Sequence, residues 1–132
     1  MPVLYEIDVN RRLVRTTCAG SVTFEQVMAH FAALERDPRR AGGVMDVMLD
    51  LRTITNIPET SQLRQVADRI SPDNTELKYG RLAIVAVNPE AVGLGRLFVQ
   101  FAQGRFTAAT VVGSLDEAER WLDSSPALEA AG

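Results

Sequence analysis

The amino-acid sequence predicts an α/β domain with a mixed, mostly parallel five-stranded sheet and four helices, in the order β-β-α-β-α-β-α-β-α. Three observations support this. Residues 3–9 alternate apolar and polar side chains, which is typical of a half-buried strand. The run LAIVAV at 82–87 is apolar on both faces, so it predicts an interior strand. Helical apolar stripes alternate with strand-like runs after residue 20, which favours right-handed crossovers between parallel strands.

The chain opens with a predicted β-hairpin. Residues 3–9 and 13–19 are its strands, and Asn10-Arg11-Arg12 is the turn. This hairpin gives the sheet an antiparallel edge. Cys18 lies in the second strand with no histidine nearby in sequence, which indicates a packed, inert thiol, because a reactive thiolate needs an accessible electropositive site.

The first helix is predicted over 24–36. Thr23 and Gln26 form a capping box at its start, and Asp37-Pro38 ends it. An apolar stripe predicts the buried face, and its members are Phe24, Val27, Met28, Phe31 and Leu34. The single histidine, His30, lies off this stripe, so we expect it to face solvent or the border of the stripe.

The third strand is predicted over 44–51 and the second helix over 58–71. A short polar loop joins them, in which Asn56 with Glu59 is one possible helix cap. A buried strand that feeds a helix start is where open α/β sheets usually place their sites.

The C-terminal half continues the alternation. Its predicted elements are a polar loop at 73–80, a strand at 82–87, a helix opening at Asn88-Pro89, a strand at 105–112 and a helix capped by Ser114 and Glu117. Gly93 and Gly95 lack the spacing of a dinucleotide-binding fingerprint, so we interpret them as glycines packed against a neighbouring element. We expect a single domain over 1–123 and a flexible tail over 124–132.

Composition narrows the possible functions. A chain of 132 residues predicts one domain, and a net charge of −3 argues against nucleic-acid binding. One cysteine cannot form an intramolecular disulfide, which favours a cytoplasmic location. One histidine and one cysteine cannot build a standard zinc site, so we expect neither metal nor cofactor. No apolar run approaches the roughly 20 residues that span a bilayer.

Polar residues gather at the predicted C-terminal ends of strands three and four. Arg52 and Arg96 offer positive charge, Thr60 and Asn88 offer hydrogen bonds, and Ile57 offers an apolar wall. Two helix N-termini begin at the same edge and favour an anion. The sequence therefore predicts a pocket here for a small lipophilic or anionic ligand. The alternative is that Asn88 only caps local backbone groups and Arg96 is an ordinary surface arginine.

Four segments carry a family resemblance. They are the strand ending Leu49-Asp50-Leu51, the loop and helix start that follow it, the LAIVAV strand, and Glu117-Ala118-x-x-Trp121-Leu122 near the end. With the element order, they resemble the STAS family, the anti-sigma-factor-antagonist-like (SpoIIAA-like) domains, and especially its stand-alone bacterial members of unknown function. In phosphorylated members a serine in an Asp-Ser-Ser-Gly loop accepts phosphate from a partner kinase. Glu59-Thr60-Ser61-Gln62 occupies that place here, with Pro58 inserted before it.

Two functions therefore remain open. The first is a non-catalytic ligand-binding or regulatory module of STAS type. The second, implied by the resemblance, is a protein-interaction switch phosphorylated at Ser61 or Thr60, with a regulatory protein as partner. An uncharacterised enzyme ranks third, because no acid–base pair or nucleophile assembly stands out. We also expect a homodimer, and Phe98, Phe101 and Phe106 are candidates for either its interface or the core.

Overall fold

The computed structural model describes residues 3–40, 44–56, 58–70 and 78–124. These residues form an α/β fold with a five-stranded mixed sheet and four helices, which confirms the predicted fold class. The elements are β1 (Val3–Asp8), β2 (Leu13–Gly20), α1 (Phe24–Arg36), a 3-10 turn (Pro38–Arg40), β3 (Val44–Ile54), α2 (Thr60–Arg69), β4 (Lys78–Val85), α3 (Pro89–Phe101), β5 (Ala108–Val112) and α4 (Leu115–Asp123).

The strands lie in sequence order, β1-β2-β3-β4-β5. β1 pairs antiparallel with β2, and the other three pairings are parallel. β4 therefore lies between β3 and β5, and its residues 82–85 are at most 1% exposed. This confirms that strand four is interior, although it ends at Val85 instead of residue 87 and Val87 is 57% exposed.

Side chains on the two faces of β4 enter different cores. Leu82 and Ile84 pack with residues of α2 and α3. Ala83 and Val85 pack with Ala118 and Leu122 of α4. Successive right-handed crossovers that always advance in one direction keep their helices on one face. The helices α1, α2 and α3 thus cover one face of the sheet, and α4 covers part of the other.

Several boundaries differ from the predicted ones. β3 runs to Ile54 instead of residue 51, because β2 continues to pair with it as far as Gly20 opposite Ile54. α2 begins at Thr60, two residues later than predicted. β4 begins at Lys78, inside the segment predicted as a loop, and β5 begins only at Ala108. Ser124 ends α4 as its C-cap, and the rest of the predicted tail lies outside the described residues.

Asn56 does not cap α2. Its side-chain oxygen accepts a hydrogen bond from the Val22 N–H at 2.7 Å, and its amide nitrogen donates to the Val22 carbonyl at 2.8 Å. The predicted cap is therefore wrong: the Asn56 amide pairs with backbone as a neighbouring strand would. At the start of α2, Gln62 instead accepts from the Glu59 N–H at 3.4 Å. The predicted caps at Thr23 and Ser114 are confirmed.

Arg81 holds α4 on the sheet. Its side chain is buried, donates to Asp46 at 3.0 Å, and donates to the carbonyls of Leu122 at 2.6 Å and Ser124 at 2.8 Å. The last carbonyls of a helix have no partner within the helix. The Arg81 guanidinium thus satisfies the C-terminal end of α4.

The three phenylalanines that were candidates for an interface are all at least partly covered. Phe98 is buried in the core, Phe101 lies under the Arg64 guanidinium at 4.2 Å, and Phe106 packs against Tyr79. Core packing is therefore the correct alternative for Phe98.

The two glycines of α3 differ. A Cβ on Gly95 would lie 3.2 Å from Ile84 and 3.3 Å from Val111, which confirms close packing against the sheet. Gly93 is exposed and has open space around it, so the packing interpretation is wrong for that residue.

Candidate functional site

An apolar cavity of about 130 Å³ lies between the sheet and the helices α1, α2 and α3. Side chains from every element around it contribute to its wall. Those on the sheet are Val3, Val14, Thr16, Cys18, Val47, Leu49, Leu51, Ile54, Tyr79, Leu82 and Ile84. Those on or next to the helices include Phe24, Val27, His30, Phe31, Pro58, Gln62, Leu63, Val66 and Phe98.

The cavity exists because α1 does not pack closely on the sheet. Val47 and Leu49 point toward the helices from a central strand, yet both are only partly buried. On α1, Leu34 is the buried residue, whereas the stripe residues Val27 and Phe31 keep some exposure. The middle of the sheet is therefore not filled by helix side chains.

Contacts near both ends hold α1 in this position. The two hydrogen bonds between Asn56 and Val22, which we call the Asn56 clamp, fix the segment before α1. Beside them the Thr55 N–H donates to the Gly20 carbonyl at 2.9 Å. After the last turn, Tyr5 donates to Asp37 at 2.9 Å, and Glu35 of α1 pairs with Arg69 of α2.

One end of the cavity lies at the N-terminal ends of α1 and α2. Among the described lining residues Thr23 alone is exposed, and it is the N-cap of α1. Ile54 and Pro58 line the same end, since the Asn56 clamp brings the end of β3 beside the start of α1. The Glu35–Arg69 ion pair joins the opposite ends of the two helices.

Two polar side chains meet in the cavity wall. Thr16 Oγ1 on β2 and His30 Nε2 on α1 are 3.4 Å apart, and Thr16 is 3% exposed. The His30 ring also lies edge-on to Tyr5, with 5.4 Å between ring centroids. Burial lowers the pKa of His30 to about 4, so its ring is neutral at pH 7.

The expectation that His30 faces solvent is therefore wrong; it lies at the border of the stripe and in the cavity wall. His30 follows Val27 by three residues and precedes Leu34 by four. Side chains at that spacing share one face of a helix, so a signal for this position was present in the sequence.

Cys18 is buried in the same wall, as expected of a packed thiol. Burial, with a smaller contribution from Asp50, raises its pKa to about 11, so the thiol stays protonated at pH 7. None of the lining residues within the described chain is Asp, Glu, Lys or Arg. The part of the cavity wall that the described residues form therefore carries no charge at neutral pH.

Arg52 lies on the other side of the sheet. Its neighbour Leu51 lines the cavity, and successive residues of a strand point to opposite faces. The Arg52 guanidinium donates to Asp50 at 3.0 and 2.9 Å. Burial raises the pKa of Asp50, but these hydrogen bonds outweigh it and leave the pKa below its ordinary value.

The other predicted site residues surround the helix starts without lining the cavity. Asn88 caps α3, accepting from the Ala91 N–H at 2.8 Å, and Arg96 is exposed on the same helix. Thr60 and Ser61 are exposed on the first turn of α2. Ile57 lies outside the described residues. Of these five ligand-pocket residues, the four that are described are absent from the cavity wall, and their role in ligand binding stays a prediction.

No group of three or more His, Cys, Asp or Glu within the described ranges is placed to hold a metal ion. Across those same ranges, every helix is too short or too polar to cross a membrane. Neither a family model nor a curated protein matches the sequence. The STAS resemblance accordingly rests on the quoted segments and the element order.

Proposed function

We propose that this protein is a non-catalytic binding module of STAS type, which acts in the cytoplasm and holds a small lipophilic molecule between its sheet and α1. The observation that carries the proposal is the uncharged apolar cavity beneath α1. Small-molecule sites are usually preformed, mostly apolar concavities with few polar groups.

The unfavourable free energy of unfilled apolar space supports a ligand in this cavity. Apolar side chains that face unfilled space lack the dispersion contacts of a packed core. A lipophilic molecule would restore the missing contacts, and an apolar cavity of about 150 Å³ is known to hold benzene.

The wall chemistry supports binding over catalysis. The Cys18 thiol is protonated at pH 7, and no carboxylate from the described chain reaches the wall to activate a nucleophile. His30 is neutral and its Nε2 lies beside Thr16 Oγ1. The buried, reduced Cys18 also supports a cytoplasmic location.

Toluene is a suitable probe, because it is apolar and close to benzene in size. We expect it to raise the melting temperature and to shift the amide resonances of residues lining the cavity. Val47→Phe fills the cavity from the central strand and should weaken toluene binding about tenfold or more. Val44→Phe is the matched control, because Val44 is on the same strand, is 50% exposed and lies outside the cavity wall.

The two variants test whether toluene binds in the cavity. Equal loss of toluene binding in both variants, or unchanged binding in Val47→Phe, would overturn the cavity as the binding site. Native mass spectrometry of protein purified from its own host adds an independent readout, since a retained small molecule should be present in wild type and in Val44→Phe but absent from Val47→Phe.

A second candidate function is the phosphorylation switch. It is favoured by the exposure of Ser61 and Thr60 on the first turn of α2, where phosphate would gain from the helix dipole. Gln62, the next residue, lines the cavity. Intact-mass analysis of protein from its own host should then show a phosphate that Ser61→Ala or Thr60→Ala removes; unmodified protein under all growth conditions would contradict the switch.

A further inference from the structure

The polar side chains Thr16 and His30 in the cavity wall do not use their full capacity for hydrogen bonding. Thr16 Oγ1 and His30 Nε2 are 3.4 Å apart, which is long for a hydrogen bond that involves a hydroxyl. Within the described part of the chain, neither side chain has another hydrogen-bond partner. Both groups face an apolar space, where an unmet hydrogen-bonding group is costly. The pair is thus able to accept a hydrogen-bonding atom from a molecule in the cavity.

The same wall disfavours a charged molecule. An anion would find no cationic side chain among the described lining residues, and a cation would find no carboxylate. His30 and Cys18 are both neutral at pH 7. A charge moved from water into such a wall keeps its full desolvation penalty, because nothing compensates it.

The polar pair also lies away from Thr23, the exposed residue of the described wall. His30 is seven residues beyond Thr23, which places it about 10 Å further along α1 at 1.5 Å per residue. The wall between them is apolar and includes Phe24 and Val27. A molecule that hydrogen-bonded to the pair could therefore place its apolar part along the wall between the pair and Thr23.

We infer that the ligand of this cavity is an uncharged lipophile with one hydroxyl or carbonyl group, which hydrogen-bonds between Thr16 Oγ1 and His30 Nε2. This inference rests on the proposed function and names its ligand class. It replaces the anionic alternative, because the cations expected to hold an anion, Arg52 and Arg96, are not in the cavity wall.

Three probes of similar shape test this inference. Toluene carries no polar group, p-cresol carries a hydroxyl and p-toluate carries a carboxylate. Thr16→Val removes the hydroxyl and keeps the shape of the side chain. Thr17→Val is the control, because Thr17 is adjacent on β2 but points to the other face of the sheet. Dissociation constants for all three probes are measured at pH 7 for wild type and both variants.

We expect p-toluate to bind at least about tenfold more weakly than p-cresol in wild type. Thr16→Val should weaken p-cresol by about fivefold relative to toluene, and Thr17→Val should not change that ratio. Toluene binding in each variant shows that its cavity is intact. A p-cresol to toluene ratio that Thr16→Val leaves unchanged, or p-toluate binding as tight as p-cresol, would overturn the inference while the proposed function stood. Absence of toluene and p-cresol binding in wild type would overturn both.

Discussion

Arg81 is the only buried charged side chain among the described residues, and it joins three parts of the fold. Its partners are Asp46 on β3 and the carbonyls that end α4. Removing one member of a buried, hydrogen-bonded ion pair leaves the other partners unsatisfied, which typically costs about 3–5 kcal/mol. We expect Arg81→Met to lower the free energy of unfolding by about 3 kcal/mol, measured by urea denaturation.

Arg52→Met is the matched control for that experiment. Arg52 also pairs with an aspartate of its sheet, but its side chain is 43% exposed, against 6% for Arg81. Exposed ion pairs contribute little to stability. Because the Arg52 side chain is far more exposed than that of Arg81, Arg52→Met should lower the free energy of unfolding by less than Arg81→Met does. If both variants shifted equally, burial of Arg81 would not be the reason for its contribution.

His30 should make stability depend on pH in a defined window. Its pKa is lowered from 6.5 to about 4 by burial, so between those values the unfolded chain binds a proton that the folded chain does not. Stability therefore falls as the pH drops from about 6.5 to about 4, by up to roughly 3 kcal/mol. Urea denaturation at a series of pH values measures this.

His30→Phe removes the titrating group and should flatten the profile above about pH 4. Asp37 provides the contrast, because hydrogen bonds from Arg39 hold its pKa below the ordinary value. The contribution of Asp37 to stability is lost only as the pH falls below the His30 window. His30→Phe should therefore still lose stability in that more acidic range. A profile between pH 6.5 and 4 that is unchanged in His30→Phe would contradict the burial of His30.

Both residues show what a sequence pattern misses at this scale. An arginine before an apolar run predicts an exposed strand end. The carbonyls of Leu122 and Ser124, which help to make burial of Arg81 possible, lie 41 and 43 residues further along the chain. A histidine is not counted among the apolar residues of a stripe, so the sequence pattern does not mark the helix face that His30 shares with Val27 and Leu34. The meeting of Thr16 with His30 depends on how far α1 stands from the sheet.

The helix α3 provides an internal comparison at the scale of elements. Its glycines Gly93 and Gly95 lie two residues apart, one in open space and one against Ile84 and Val111. Alanine stabilises an exposed helix position by about 0.5–1 kcal/mol relative to glycine. A methyl group forced against packed side chains costs about 1–3 kcal/mol. We expect Gly93→Ala to be more stable than Gly95→Ala by at least about 1 kcal/mol in urea denaturation.

Equal stability of the two variants would show that Ile84 and Val111 can move aside. That result would contradict the close packing of α3 on the sheet, which sets one wall of the cavity. The two variants carry the same substitution on one helix, so the helix propensity of alanine cancels between them.

Elements with local signals were predicted well. The capping box of Thr23 and Gln26 and the stop at Asp37-Pro38 fixed α1 at the observed bounds. The errors fall where pairing or tertiary contacts decide. β3 extends because β2 offers it further partners, and Asn56 binds Val22 rather than the next helix. An asparagine amide can cap a helix or hydrogen-bond to a distant backbone segment, so the sequence alone does not distinguish these two roles for Asn56.

For the whole molecule, the predicted homodimer stays a prediction. β1 is an edge strand, and Leu4 and Val9 at this edge are 56% and 49% exposed. Unpaired strand edges with apolar side chains favour association with another chain. We expect light scattering at high micromolar concentration to give twice the chain mass. A monomer mass under those conditions would contradict the dimer, and Leu4→Lys should convert a β1-mediated dimer to monomer.

At this scale the sequence predicted the architecture but not the cavity. Periodicity specifies which residues are apolar, and therefore which elements face a core. It does not specify whether that core is filled, because a few ångströms between α1 and the sheet separate a packed interface from a cavity. The predicted pocket was accordingly placed at the polar helix starts, whereas the cavity lies beneath an apolar helix stripe.

The sequential order of the strands has a consequence for how the chain folds. Every pairing joins strands that are consecutive along the chain, so the sheet can grow in the direction of synthesis, with only one crossover loop closed at each step. Arg81 is the exception, because the carbonyls that it needs emerge about forty residues later with the end of α4. Docking of α4 then follows completion of the five strands, and until it docks Arg81 has its Asp46 partner on β3 but lacks the carbonyls at the end of α4.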